Sequence, residues 1–445
     1  MSLVALVTAA SLLAAPAPAP AARAAATAKP GHVWTIVLEN KNYEKTFGAK
    51  PGSPYLGTEL PKQGVLLTDY YATGHLSLDN YISMVSGQPP NTITQSDCQT
   101  FQDFAGTGPG ADGVAVGQGC VYPASVKTVA DQLVAKGLTY RGYMEDMGDD
   151  PAREAATCAH PAVGARDNTQ GATAKDQYAT RHNPFVYFHS IIDDQASCDR
   201  NVVNLRELEK DLGTVATTPN YSFITPDLCA DGHDDTCVNE KQKGGYEGID
   251  EFLREWVPRI LASPAFAKDG LLIVTFDEAE DDDSACCDEQ TGPNTPRPGI
   301  QGPGGGKVGA VLISRFVKPG TTTKTPINHY GYLRSIEDLF GLDHLAYAAQ
   351  EGLATFQSMK LLAGAGSGKP VRRFTVKRKG RRLIIRVSLA PGVIGKITVK
   401  RGGQTLRRFT TGGRATLRVA VPRKATVVLR AVQGGRTVKR ITRRR

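Results

Sequence analysis

Between residues 31 and 365, short apolar runs alternate with segments of helical period. VWTIVL (33–38), YSFIT (221–225), LLIVTF (271–276) and VGAVLIS (308–314) are apolar on both faces, and LTYRGYM (138–144) is a weaker fifth run. Strands buried on both faces are the mark of a parallel sheet covered by helices. SVKTVADQLVAKG (125–137) and GIDEFLREWVPRILAS (248–263) space their apolar residues three to four apart, with Gly248 ahead of the first turn of the second. The alternation predicts an α/β domain over residues 31–360, with a mainly parallel sheet sandwiched by helices. In such a sheet ligands bind beyond the carboxyl ends of the strands.

The period then changes. LLAGAGSGKP (361–370) reads as a small, Gly-rich linker. From residue 371 to 445 the pattern alternates every second position through RRFTVKR, RLIIRVSL, KITVKR, TLRRFTT, ATLRVAV, ATVVLRAV and RTVKRITR, with Gly-containing turns between several of them. That predicts a small C-terminal all-β sandwich of about seven antiparallel strands. It has no Asp, Glu, His or Cys, so catalysis belongs to the larger domain.

Composition adds a split in charge. The chain has 445 residues and a formal net charge of +9. From Lys369 to Arg445 there are 25 Lys and Arg and no acid, which leaves 28 basic and 44 acidic residues before them. An acidic body is joined to a basic tail. At the start, LVALVTAASLLAA (3–15) followed by APAPAPAARAAA reads as a signal peptide over residues 1–26, although no Lys or Arg precedes the apolar run. No later run is long enough to span a bilayer. Eight cysteines, an even number, fit an exported chain with disulfides. Cys229 and Cys237 are close enough to close a short loop. Cys286-Cys287 is either a vicinal bridge or two halves of different bridges. The chain is expected to be secreted or associated with the cell surface.

Five short segments carry chemistry. The strand 33–38 ends in Glu39-Asn40, and the strand 271–276 ends in Asp277-Glu278. Two acidic strand ends at one sheet edge repel unless something positive lies between them. Carboxylates and an amide suit a hard or borderline divalent cation, such as calcium, magnesium, manganese or zinc. Asp281, Asp282 and Asp283 read instead as a solvated loop. In GHLSLDNYISMVSG (74–87), Ser77 precedes a helical segment. Alone it reads as a helix cap, and beside a metal it reads as a nucleophile. Asn80, one turn on, can donate to a phosphoryl oxygen. ITPDLCADGHDDTC (224–237) presents Asp227, Asp231, His233 and Asp234 in a strand-end loop. In TPINHYGYLRSIEDLFGL (325–342), His329 lies just ahead of a helix.

Taken in order, LEN followed by FG, HxSxxNY followed by SG, HNPFVYF (182–188), the acidic-histidine loop, FDE, VGAVLIS and NHY ahead of SIEDLFGL resemble one family. It is the bacterial phosphoesterase family of phosphatidylcholine-type phospholipases C and acid phosphatases, within the alkaline-phosphatase-like superfamily. The resemblance covers roughly residues 32–345. It implies that Glu39, Asn40, Asp277 and Glu278 bind a metal, with Ser77 both ligand and nucleophile. Asn80 then orients the phosphate, and His75, His233 and His329 contact phosphate or a second metal. Asp79 stands where many relatives have Pro, and Asp227 where they often have Asn.

The implied reaction is hydrolysis of a phosphate monoester through a phosphoseryl intermediate. A phospholipase C-type diester cleavage is the alternative. A sulfatase is disfavoured, because the CxPxR or SxPxR turn is missing. A reading of another class is a cell-surface polyanion-binding protein with a vestigial site. It rests on the tail, whose cations suit an anionic cell-wall or surface polymer. With only Phe374 and Phe409 available for stacking, no sequence-specific contact with nucleic acid is expected.

Overall fold

A computed structural model describes residues 29–362 and, beyond them, 371–389, 394–401, 403–411, 414–421, 424–433 and 436–444. The expected signal peptide and most of the expected linker lie outside the described residues.

The larger domain is built on one eight-stranded sheet. Its strands run in the order 321–323, 65–67, 310–314, 270–276, 32–38, 221–225, 140–144 and 202–204. The five from 270–276 to 202–204 are parallel. Strands His32–Leu38 and Gly270–Phe276 are buried at every position, as their unbroken apolar runs require. One strand departs from expectation. The run VGAVLIS reads as one of the parallel strands, but Ala310–Ser314 pairs antiparallel with both neighbours. Burial on both faces reports cover by helices and carries no information on direction.

The helices lie where the period placed them, with shifted ends. Val129–Ala135 begins after Thr128, whose side chain and that of Asp131 form a reciprocal capping box. The long helix spans Gly245–Ala262, so Gly248 lies inside it and not ahead of it. A Cβ at Gly248 would stand 2.3 Å from the Lys243 carbonyl oxygen and 2.6 Å from that of Cys229. The glycine is there for close approach of helix and loop. Helix Ser77–Ser86 is buried along its whole length. It ends at Gly87, in the left-handed region at φ 70°, where a Cβ would meet the Leu345 carbonyl. Helix His329–Phe340 packs on the sheet through Tyr332, whose hydroxyl lies 2.7 Å from Thr35 Oγ1 and 2.8 Å from the Tyr221 hydroxyl.

The C-terminal unit has the seven strands read from the alternation. They form an antiparallel sheet of three (371–379, 382–389, 414–420) and one of four (404–411, 394–401, 426–433, 436–444). Phe374, Val376, Leu383 and Ile385 from the first and Ile397, Val399, Val427 and Leu429 from the second share one apolar core. That core is separate from the core of the larger domain. All eight cysteines are paired, as 98–120, 158–198, 229–237 and the vicinal 286–287. No helix among the described residues is long and apolar enough to cross a membrane.

Candidate active site

The site starts from a register. Leu38 and Phe276 are paired on adjacent parallel strands, so Glu39 and Asp277 leave the sheet side by side at its carboxyl edge. The Asp277 amide donates to the Leu38 carbonyl at 2.9 Å, which extends the ladder by one bond. Asn40 sits in the left-handed region at φ 54°, a conformation Asn tolerates better than most residues. The turn aims its backbone amide at Asp277 Oδ1, 3.1 Å away, and leaves its side-chain amide 3.4 Å from Glu39 Oε2. On the other side, strand Tyr221–Thr225 delivers the loop of Asp231, whose carbonyl accepts from the Glu39 amide at 2.9 Å.

Ser77 reaches the same carboxylate. It is the first residue of its helix, and Leu76 ahead of it makes no side-chain cap. Instead of capping, the Ser77 hydroxyl donates to Glu39 Oε2 at 2.9 Å. Tyr81, on the same helix face one turn later, donates to Glu39 Oε1 at 2.6 Å. His182 comes from a short turn, Thr180–His182. Its Nε2 lies 3.4 Å from Glu39 Oε1 and its Nδ1 3.2 Å from Asp231 Oδ2, while its ring stacks on Tyr81. Glu39, His182 and Asp231 thus form a buried cluster whose ligand atoms lie within 4.8 Å of one another.

The electrostatics follow from burial. Glu39, Asp277, Glu278 and Asp231 are all but inaccessible. Desolvation raises each carboxyl well above the usual range, and the neighbouring carboxylates raise it further. Burial likewise holds His182 neutral, helped by the Arg181 guanidinium beside it. Asp277 Oδ2 is buried with no hydrogen-bond partner. Orphaned oxygens of that kind are costly unless a proton or a cation meets them. Carboxylates, an Asn, a hydroxyl and an imidazole make a donor set that fits a hard or borderline divalent cation. The group Cys286, Cys287 and Glu289 does not fit one, because its sulfurs are joined in a disulfide.

Other expected site residues are engaged differently. The Asn80 side chain is spent on its own turn, accepting from the Thr73 and Gly74 amides and donating to the Gly74 and Leu76 carbonyls. His75 lies between Glu278 Oε2 and the Asp282 carbonyl. His329 is fully buried, with Nε2 2.6 Å from the Asp277 carbonyl and Nδ1 3.0 Å from the Tyr70 hydroxyl, so it fastens the strand end of Asp277. Asp227 accepts from the Cys229 and Ala230 amides and from Gln242, which shapes the loop closed by Cys229–Cys237. His233 stands at the open side, with Nδ1 2.7 Å from Asp234 Oδ1 and Nε2 3.2 Å from Arg181 Nη2.

Tyr81, Arg181 and His182 were not expected in the site. The spacing of Tyr81 from Ser77, one helical turn, was a usable signal. His182 opens the HNPFVYF segment, which carried part of the resemblance without a role of its own, and Arg181 had no signal, because nothing local says that a short turn far along the chain meets the end of the first strand.

Comparison with known proteins gives the family. A model of the phosphoesterase family matches residues 54–343. The chain is 29% identical to the phosphate-repressible acid phosphatase of Penicillium chrysogenum over 291 residues, which are 65% of this chain and 55% of that protein. It is 26% identical to a probable acid phosphatase of Kluyveromyces lactis over 316 residues, 70% of this chain and 58% of that one. It is 26% identical to a phosphatidylinositol-3-phosphatase of Mycobacterium tuberculosis over 334 residues, 73% and 82% of the two chains. The chain therefore spans little more than half the length of the first two. A solved alkaline phosphatase superfamily protein of Vibrio parahaemolyticus is similar at 14% identity and a TM-score of 0.42, covering 82% of this chain and 78% of that one. With the family model matching well over half of its length, the chain belongs to the phosphoesterase family.

Proposed function

We propose that this chain is a metal-dependent hydrolase of phosphate monoesters in which Ser77 is the nucleophile. The observation that carries the reading is the 2.9 Å hydrogen bond from the Ser77 hydroxyl to Glu39 Oε2, at the edge where Glu39 and Asp277 meet. Glu39, Asn40, Asp277 and Glu278 would hold a divalent cation, with Ser77 beside them. Such an ion would offset the clustered negative charge and polarise a phosphoryl oxygen.

The chain's own residues supply the rest. Glu39 Oε2 is positioned to take the Ser77 proton as Oγ bonds to phosphorus and the ester oxygen leaves. Tyr81, bonded to the other oxygen of Glu39, keeps that carboxylate aimed at Ser77. Arg181 is a buried cation of the site whose Nη1 donates to the Gln170 carbonyl, whose Nη2 faces His233 Nε2 and whose Nε lies 3.8 Å from Asp97, so it would reach an equatorial phosphoryl oxygen by giving up one of these partners. The first helical amides are less suited, since Asp97 already accepts from the Leu78 amide. Asn80, with its amide committed, holds the Ser77 turn in shape. His233 is the group we assign to protonating the leaving oxygen, from Nε2 in its doubly protonated form, with Nδ1 held by Asp234 and Nε2 released from Arg181. Water then attacks the phosphoserine in line and gives a proton to His233, the P–Oγ bond breaks, and Oγ recovers its proton from Glu39.

The names of the relatives support this class. Two are acid phosphatases by name and one is a phosphatidylinositol-3-phosphatase, which makes a phosphomonoester the first substrate class to assay. Pairing of every cysteine supports an oxidising location, and we infer export. Ser77→Ala is the decisive variant. Turnover of p-nitrophenyl phosphate should fall by about 10³-fold or more, as for loss of a covalent nucleophile. A well-folded variant with near-normal turnover overturns the reading. Chelation should abolish the wild-type turnover, and one of calcium, magnesium, manganese or zinc should restore it.

A further inference from the structure

The C-terminal double sheet carries a charge pattern that the chemistry of the larger domain does not use. Lys396, Arg430 and Arg440 are paired directly across three neighbouring strands, and all three are exposed. Like charges placed opposite one another weaken a sheet. Nothing within the unit relieves them, because residues 369–445 include no Asp or Glu. The larger domain covers part of this face, where strand 426–433 meets helix 264–269 and Val428 is buried, but none of the three makes an ion pair with a described residue there. Exposed Arg408 and Arg444 extend the same face along the neighbouring rows. The other sheet turns the opposite way, since the inner faces of the two share one core. Its outer face also carries exposed cations, Arg373, Lys377, Arg386 and Arg418. Arg372, Arg373 and Arg386 rim a shallow recess of about 460 Å³ on that sheet.

We propose that this unit is a binding module for a linear, phosphate-rich polyanion, which is held by charge alone and follows both faces of the double sheet. Two observations choose a flexible polymer over a lipid surface. A bilayer is a plane and can meet only one of the two outward faces. Among its described residues the unit also offers nothing to insert, for the exposed large apolar residues of the described chain all lie in the larger domain. A third observation sets the mode of recognition. Phe374 is buried and Phe409 half-buried, so no aromatic platform is free for stacking bases, and the contact is with the charged groups of the polymer backbone. The exposed Thr410, Thr416 and Thr442 lie on the same outward faces and add hydroxyl donors.

The test uses the full chain. Long-chain inorganic polyphosphate and single-stranded oligo-dT of equal charge are the two probes. Ser77→Ala serves as the background, so that polyphosphate is not consumed. Binding is followed by anisotropy from 50 to 500 mM NaCl. Both probes should bind at low salt with equal affinity per phosphate, and log K should fall linearly with log salt. The triple variant Lys396→Gln, Arg430→Gln, Arg440→Gln should bind at least 10-fold more weakly at 100 mM salt. Its salt slope should be smaller by about 2, for three lost phosphate contacts. A second triple variant, Arg373→Gln, Lys377→Gln, Arg386→Gln, should weaken binding comparably, because the polymer follows both faces. In an otherwise wild-type chain both triple variants should turn over p-nitrophenyl phosphate normally, so failure of this proposal is separate from failure of the catalytic one. Four results overturn it. They are no binding at 50 mM salt, binding that survives 500 mM salt, tighter binding to phosphatidylserine vesicles at equal phosphate, and salt-sensitive association of the chain with its own acidic body in place of the polymer. A 10-fold preference for oligo-dT overturns the claim of recognition by charge alone.

Discussion

Glu337 shows how single buried groups set the response of this molecule to pH. It lies on helix His329–Phe340, where one oxygen accepts from the Leu345 amide at 2.9 Å and the other is buried without a partner. Burial pushes its carboxyl up to about 8. A carboxyl whose folded value lies above its unfolded one holds its proton longer in the folded chain. Its protonation therefore stabilises the fold at low pH, and that contribution drains away as pH rises from about 4.5 to about 8. Glu337→Gln should flatten this part of the stability profile and raise stability at pH 8.5 by roughly 2–3 kcal/mol. Urea denaturation at pH 5 and pH 8.5 checks it, and an unchanged difference between the two chains counts against it. At the same scale, Ser77 illustrates how a residue type is reassigned by its partner. In sequence it is a Ser at a helix start, the commonest of caps. In the fold its hydroxyl is taken by Glu39, and the helix goes uncapped by any side chain.

At the scale of the element, the helix Gly245–Ala262 and the Asp227 loop are coupled by a contact that only glycine permits. Gly248→Ala would drive a Cβ into two backbone carbonyls, which cannot swing aside as a side chain can. The expected loss is roughly 1–3 kcal/mol, read as a lower urea midpoint. The Cys229–Cys237 bridge closes the same loop, with a sequence separation of 8. The double substitution Cys229→Ser, Cys237→Ser should cost roughly 2–3 kcal/mol on the loop-entropy view. It should also lower kcat through Asp231 and His233, which this loop holds against Glu39 and Arg181. A variant that loses stability with kcat untouched would show that the loop is held without the bridge.

For the whole molecule, the two apolar cores are separate, one formed by residues 33–362 and the other by residues 371–441. A chain ending after Leu362 should therefore keep its cooperative unfolding and its turnover of small phosphomonoesters. It should lose the salt-sensitive binding assigned to the double sheet. Calorimetry with a p-nitrophenyl phosphate assay checks the first two, and loss of turnover on truncation would place part of the active machinery beyond residue 362.

Much of this was legible in the chain. The period of two after residue 370 named all seven strands of the double sheet, because exposed and buried positions alternate by residue. The apolar runs marked the central strands, and the carboxylates following 33–38 and 271–276 marked the edge at which Glu39 and Asp277 meet. Those features are written in contiguous residues, where local period and strand-end chemistry suffice. The direction of 310–314 was not legible, since burial on two faces is the same for a strand running either way. Nor was the convergence of Tyr81, His182 and Asp231 on Glu39. Those three come from a helix, a short turn and a loop that are far apart in sequence, and only the order of strands in the sheet brings them together. Tertiary structure also decided which polar groups were already spent. It committed Asn80, His329 and Asp227 to backbone partners and left Asp277 Oδ2 without one, because hydrogen-bond satisfaction depends on what packs nearby in space.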